Sequence, residues 1–224
     1  MARKKLARFA ENHRNPLVIE AGKELFNTIK GKWHSVFFKN ENPITLELAC
    51  GRGEYTIGLA KIYPERNYIG VDIKGARIWQ GANYALKENM KNVGFLRTII
   101  QNLENFFEPQ EVSEIWITFP DPRPKGNDEK RRLTHPRFLE MYRKLLKDRG
   151  LVHLKTDNPA LFEYTLEVLR TQPIENLKFT YNLYKSELQA WHHGIRTKYE
   201  NIFTAQGANI HYLQFNFLPQ SAQS

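Results

Sequence analysis

The chain of 224 residues contains one cysteine, Cys50. No internal disulfide can form, and no cysteine-based zinc site can be assembled. A lone cysteine of this kind reads as a small buried residue. Long apolar runs are missing too. The opening Met1-Ala-Arg-Lys-Lys-Leu-Ala-Arg-Phe-Ala is basic, and no continuous apolar stretch follows it. It reads as neither a signal peptide nor a membrane span, so the expected location is the cytoplasm. There are no internal repeats, and the only low-complexity tract is a polar tail near 218–224. Acidic charge is in deficit, with 33 Lys and Arg against 24 Asp and Glu, a net charge of +9. That balance favours a polyanionic partner, nucleic acid before membrane.

What is present suits one α/β domain with appendages: 41% of the residues are hydrophobic. Residues 1–14 are basic without apolar periodicity and read as a mobile arm. Asn15-Pro16 is expected to open a helix running to about Gly31. Strand patterns follow at Ile44–Cys50, Asn67–Ile73, Val93–Ile100, Glu114–Phe119 and Leu151–Lys155. Helices are expected near 55–62, 74–89, 135–147 and 158–169. Strands alternating with helices at this spacing imply a parallel sheet with right-handed crossovers. Two last strands, Lys178–Tyr184 and Ile210–Phe217, have no clear helix between them. They are expected to pair as a hairpin around a long loop, 185–208.

The most informative stretch is residues 118–133. The strand pattern Ile115-Trp116-Ile117 runs straight into Pro120-Asp121-Pro122-Arg123-Pro124-Lys125. Alternate prolines stiffen the backbone and remove amide donors. Asp121 therefore sits where a strand ends, which is where open α/β sheets bind ligands. Lys125 and Lys130-Arg131-Arg132 follow, and can grip phosphate. Read alone, this is a stiff surface turn beside a solvated charge run.

Glu47-Leu-Ala-Cys-Gly51-Arg-Gly53 lies at the first strand-to-helix turn, where glycine permits close backbone approach. Asp72 ends the second strand, placed to take both hydroxyls of a ribose. A dinucleotide site wants a third glycine at position 56, opening a helix that holds pyrophosphate. Thr56 stands there instead. An acid before the glycines disfavours phosphate and suits a cofactor with a cationic amino-acid end, pointing to S-adenosylmethionine before a nicotinamide. Gln101-Asn102, after the third strand, could contact adenine. In the late loop, Trp191-His192-His193-Gly194 lacks a third metal ligand, so no metal is expected. Thr197 and Glu200, three apart, also fit a plain capping box.

Taken together, Glu47-x-Ala-x-Gly51-x-Gly53, Pro120-Asp121-Pro122-x-Pro124-Lys125, Lys130-Arg131-Arg132-Leu133, Thr156-Asp157 and Thr197-Lys198-Tyr199-Glu200 occur in the order of a known family. The chain resembles the bacterial tRNA (guanine-N7-)-methyltransferases over about residues 40–217. The resemblance implies a Rossmann-like class I methyltransferase fold with a seven-stranded sheet, mostly parallel, with a C-terminal antiparallel hairpin and helices on both faces. It implies S-adenosylmethionine as donor, S-adenosylhomocysteine as product, and guanosine 46 of the tRNA variable loop as target. By position it implies cofactor contacts from Glu47, Gly51, Gly53, Asp72, Asn102 and Asp121. Substrate contacts would come from Lys125, Lys130, Arg131, Arg132, Asp157, Thr197 and Glu200. Asp121 is the candidate catalytic carboxylate. The chain departs from the family pattern at Arg123, where tryptophan is usual, at Gly126-Asn127-Asp128, where basic or histidine residues are usual, and at Asp72, where glutamate is usual. A monomer or homodimer is expected. The same features admit a non-catalytic RNA-binding protein on this fold, or a methyltransferase acting on another substrate such as rRNA.

Overall fold

The apolar runs become strands. In the computed structural model, which describes residues 2–219 with side chains from residue 5 onward, eight strands form one sheet. They are β1 (Val18–Ile19), β2 (Ile44–Leu48), β3 (Asn67–Val71), β4 (Val93–Leu96), β5 (Val112–Thr118), β6 (Leu146–Thr156), β7 (Ile174–Thr180) and β8 (His211–Phe217). The helices are α1 (Ala2–Arg14), α2 (Glu24–Thr28), α3 (Glu54–Ile62), α4 (Gly75–Lys87), α5 (Pro136–Leu145), α6 (Pro159–Leu169) and α7 (Lys198–Ala205). Strand order is β1-β4-β3-β2-β5-β6-β8-β7. The first six are parallel, and β8 runs antiparallel to both β6 and β7. The order reverses between β2 and β5, so crossovers leave to opposite sides and a crevice opens at their carboxyl ends.

Alternation along each strand feeds two cores. Ile115 and Ile117 of β5 join Leu46, Leu48, Val71, Leu154 and Phe215 on one face. Trp116, between them, joins Tyr55, Phe95 and Tyr212 on the other. That second face also holds charge. His153 stacks on Trp116 with ring centroids 3.8 Å apart, and its Nε2 lies 3.0 Å from Glu114 Oε1. Trp116 Nε1 donates to the same oxygen at 2.7 Å, and Arg66 donates to Oε2 at 2.5 Å.

Burial alone would raise the Glu114 carboxyl. The hydrogen bond and charge of His153, with Arg66 and Trp116, outweigh it and hold the pKa down to about 2. A folded pKa below the unfolded value means that the group's stabilisation is present above about 4.5 and is lost as pH falls through about 2. The shift corresponds to roughly 3 kcal/mol. Glu114→Gln should therefore lower the melting temperature at neutral pH and flatten its decline in acid, measured by thermal melts across that range. A variant with the wild-type acid profile would remove Glu114 from the account.

Four segments differ from the sequence expectation. Residues 2–14, expected as a mobile arm, form α1 docked on α4. Asn12 Nδ2 donates to the Gly75 carbonyl at 2.8 Å, and Trp79 Nε1 donates to Glu11 at 2.6 Å. The helix expected from Asn15-Pro16 is instead a turn, the edge strand β1 and the short α2. Asn15 Oδ1 accepts the Leu17 N–H at 2.9 Å, and Gly22 adopts φ +90°. This edge strand makes the sheet eight-stranded where seven were expected. Residues 185–208 are not one long loop. A 3-10 turn at Leu183–Lys185 leads in, and a second at Glu187–His192 is followed by α7. The hairpin of β7 and β8 is present, but β7 begins at Ile174, ahead of the expected Lys178, because a bulge at Asn176 (φ 55°) breaks the alternation. The polar tail beyond residue 219 lies outside the described residues.

Candidate active site

Two strand ends meet across the reversal point, and both are strained. Ala49 after β2 has φ 57° and Phe119 after β5 has φ 49°, unusual values for residues carrying a Cβ. Such strain gathers at functional sites. Around them lies a cleft in two lobes. One, about 370 Å3, is lined by Glu47, Gly51, Arg77, Thr118, Thr197 and Tyr199, among others. The other, about 380 Å3, includes Asp72, Thr98, Gln101, Asp121, Arg123 and Arg131. Ala49, Arg77 and Phe119 border both.

The glycine turn shows why position 56 is not glycine. Glu47 is buried, and its Oε2 accepts the Thr56 N–H at 2.7 Å and the Thr56 hydroxyl at 2.5 Å. Its Oε1 accepts the Thr118 hydroxyl at 3.0 Å, joining β2 to β5. The N-terminus of a helix attracts an anion. At α3 that anion is the protein's own carboxylate, so a pyrophosphate has no place there. Burial raises Glu47 to about 7, with the Thr56 and Thr118 hydrogen bonds opposing. A buried acid poised in this way gains from a cationic ligand. Gly51 has φ 57°, and a Cβ there would meet nothing within 4 Å, so the turn leaves open space at the cleft. Gly53 is different: φ is 73°, and a Cβ would stand 2.6 Å from the Phe95 ring. It serves packing beneath the turn.

Asp72 spans the same turn. Its Oδ2 accepts the Gly51 N–H at 2.9 Å and its Oδ1 the Lys74 N–H at 2.7 Å. Each oxygen keeps further acceptor capacity, and Asp72 lines the cleft. Of the Gln101-Asn102 pair, Gln101 lines the cleft, while Asn102 is exposed on a 3-10 turn, Ile100–Asn105, and is not part of the lining. Thr98 and Ile99 line the cleft just ahead of that turn.

Asp121 stands at the mouth, its side chain 63% exposed. Arg123 covers it, with Nε 3.2 Å from Oδ2 and its backbone N–H donating to Oδ1 at 3.2 Å. The basic run divides by direction. Lys125 and Lys130 are exposed. Arg131 is exposed and pairs with Asp128 at 3.0 Å. Arg132 turns inward, donating from Nε and Nη2 to the Arg123 carbonyl at 3.3 and 3.2 Å and lying 4.3 Å over the Tyr164 ring.

The third group is split by depth. Asp157 follows β6, half-buried. Burial raises its carboxyl, against the opposing charge of His211. The cap of α6 is the next residue, Asn158, which accepts the Leu161 N–H at 2.8 Å. Thr197 caps α7 and lines the cleft with Lys198 and Tyr199. Glu200 completes the capping box and is fully buried behind that wall. His192 and His193 diverge, towards Tyr184 and Tyr63 respectively. Among the described residues, no group of three or more His, Cys, Asp and Glu could hold a metal ion, and no helix is long and apolar enough to cross a membrane.

Sequence reading missed several residues. Arg8 lines the cleft because α1 docks on α4, and Arg77 lies over the Tyr199 ring at 5.8 Å. Neither belongs to a local motif. Lys155 read as the last residue of a strand, although a lysine inside an apolar strand was itself a signal.

A sheet of this order, with an antiparallel strand inserted next to β6 and an acid-lined cleft at the reversal point, defines the class I methyltransferase architecture. The comparisons agree. A family model described as "Putative methyltransferase" matches residues 41–213. The chain is 52% identical to the tRNA (guanine-N(7)-)-methyltransferase of Cytophaga hutchinsonii, covering 98% of this chain and 100% of that one. It is 45% identical to the enzyme of the same name from Bacteroides fragilis, covering 100% and 89%. In fold it is similar to the 16S rRNA methyltransferase KamB, with TM-score 0.62, 12% identity and coverage of 83% and 92%. The chain belongs to the tRNA (guanine-N(7)-)-methyltransferase family.

Proposed function

We propose that this protein transfers a methyl group from S-adenosylmethionine to N7 of guanosine in tRNA, at position 46 of the variable loop. One observation carries the reading: Glu47 fills the anion site of α3, so the cleft is set for a cation beside an acid and not for a pyrophosphate. Glu47, Asp72 and the Gly51 turn would hold the cofactor, with Gln101 and its neighbours near the adenine. When bound, S-adenosylmethionine supplies an electrophilic methyl carbon and leaves as S-adenosylhomocysteine.

The chain's own task is modest in chemistry and demanding in geometry. Guanine N7 carries a lone pair and is nucleophilic when neutral, so no proton need be removed first. Positioning and exclusion of water supply most of the acceleration. The base gains positive charge as the bond forms, and Asp121 stabilises it. Arg123 neutralises Asp121 in the free protein. A phosphate that draws Arg123 away leaves the carboxylate to the base. Asp157 and Thr197 supply acceptors for the N1–H and N2–H2 donors of guanine, with Glu200 behind Thr197. Guanosine 46 lies in a folded tRNA core, and opening it costs on the order of a few kcal/mol. The protein works in the cytoplasm, as a monomer or homodimer.

Beside Arg123, the phosphate contacts in this reading are Lys125, Lys130 and Arg131. Lys130→Ala and Arg131→Ala should each flatten the log–log salt dependence of tRNA binding by up to about one unit. Arg132→Ala should leave the slope nearly intact, because its guanidinium is committed to the Arg123 carbonyl and Tyr164. Binding titrations at several salt concentrations decide. Wild-type slopes for all three variants would mean that the run only solvates the surface.

The reaction itself is tested by incubation with labelled S-adenosylmethionine and unmodified tRNA, followed by nucleoside analysis. The expected product is 7-methylguanosine. Label on another base, or transfer to rRNA alone, would refute the proposal.

A further inference from the structure

A capping box ordinarily lies in water, and the one at Thr197 does not. The side chains of Lys155 and Glu200 are both 0% exposed, with Nζ 2.6 Å from Glu200 Oε1. The same ammonium donates to the Tyr55 hydroxyl at 2.8 Å. Tyr184 donates its hydroxyl to Glu200 Oε1 as well. Glu200 Oε2 accepts the Thr197 N–H at 3.2 Å, and the Thr197 hydroxyl accepts the Glu200 N–H at 3.1 Å. Burial lowers the Lys155 ammonium to about 8, against the pull of Glu200, so Lys155 is mostly charged at neutral pH.

Four elements thus end on one ion pair: β6, the first turn of α3, the 3-10 turn carrying Tyr184, and the first turn of α7. Two of them bear on the cleft directly. α3 presents Glu54, and the start of α7 presents Thr197, Lys198 and Tyr199, to the lining. The backbone N–H of Lys198 also donates to Glu54 of α3 at 3.4 Å, so the two helix starts touch.

A buried ion pair contributes little to net stability, because desolvation offsets the attraction. An apolar pair of similar shape would hold these elements together as firmly. Charge-assisted hydrogen bonds add direction, fixing how the elements stand relative to one another. We propose that Lys155 is a positioning residue: through Glu200 it fixes the start of α7 against the start of α3, and so sets the wall of the cleft against which the target guanine docks. The inference rests on the reaction proposed above. It also gives Glu200 a place in base recognition without baring its carboxylate, since both oxygens are already engaged.

Lys155→Met keeps the stem but leaves the Glu200 carboxylate buried and unpaired, so its melting temperature should fall. The double variant Lys155→Met/Glu200→Gln removes both charges and keeps a residue suited to the capping box. It should recover most of the lost melting temperature. Its kcat/KM for tRNA should stay about 100-fold below wild type, the scale of a small misplacement in the site. Affinity for S-adenosylmethionine, by titration calorimetry, should stay within about twofold of wild type, well inside the tenfold that 1.4 kcal/mol represents. A double variant with wild-type kcat/KM would overturn the proposal, and so would a cofactor affinity that falls in step with the rate. Should the double variant fail to fold, Glu200→Gln alone keeps the cap and carries the same two outcomes. Hydrogen exchange reads the latch without any reaction. Amides of α7 should exchange about tenfold faster in the variant, with those of α4 unchanged. Unchanged exchange in α7 sinks the positioning role. Absence of methyl transfer by the wild type, with α7 exchange behaving as expected, counts against the reaction and not against the latch.

Discussion

Asp121→Asn should lower the rate of methyl transfer to tRNA by about 100-fold, with the fold intact. The side chain is 63% exposed at the end of β5 and supports no core contact, so its loss costs little stability. The substitution keeps shape and removes charge, which isolates the interaction with the developing positive charge at N7. Arg123 sharpens the test. It pairs with Asp121 at 3.2 Å, and that exposed pair adds little stability by itself. Arg123→Ala should therefore leave the melting temperature unchanged while weakening tRNA binding. Single-turnover rates with saturating cofactor separate the two effects. An Asn variant close to the wild-type rate would show that charge at this position does not assist the reaction.

Glu47→Gln should weaken S-adenosylmethionine binding by roughly 10–100-fold, the range of a charge-assisted hydrogen bond. It should also abolish the pH dependence of binding. Glu47 titrates at about 7 in the empty protein because burial disfavours its charged form. A cationic ligand group favours the carboxylate, so the complex binds fewer protons than the empty protein. Wild-type affinity should then be flat above about pH 7 and fall by up to about tenfold per unit below it. Stability of the empty protein runs the other way. Its folded pKa lies above the ordinary 4.5, so the folded state holds the proton more tightly, and stability drops as pH rises from about 4.5 to about 7. The Gln variant should lack that drop. Titration calorimetry in buffers of different ionisation enthalpy counts the released proton. No release at about pH 6 would contradict the assignment, because a group titrating near 7 must then give one up.

The sheet was legible because its strands are apolar runs of the right length, and a period of two places Trp116 opposite Ile115 and Ile117. The proposed site was legible where its acids sit at strand ends: Glu47, Asp72, Asp121 and Asp157 each follow or close a strand. What escaped reading was held largely by single polar contacts. α1 docks through Asn12, Glu11 and Trp79, with Phe9 against Gly75, contacts to residues more than 60 positions away that spacing within the arm cannot report. Asn15-Pro16 carries a helix-opening signal, but the Asn15 side chain turns the chain back on itself at Leu17. α7 was visible only as its capping box. The partner that buries that box, Lys155, lies 45 residues from Glu200 in sequence. Spacing along the chain cannot report such a pair.

In the proposed reaction the N7 lone pair of a tRNA guanosine is the nucleophile, and one substituted substrate tests this most directly. A tRNA carrying 7-deazaguanosine at position 46 keeps the Watson–Crick edge and lacks that lone pair. Binding close to that of the guanosine tRNA is expected, with no methyl transfer. Methylation of the deaza tRNA at the guanosine rate would contradict the proposed reaction.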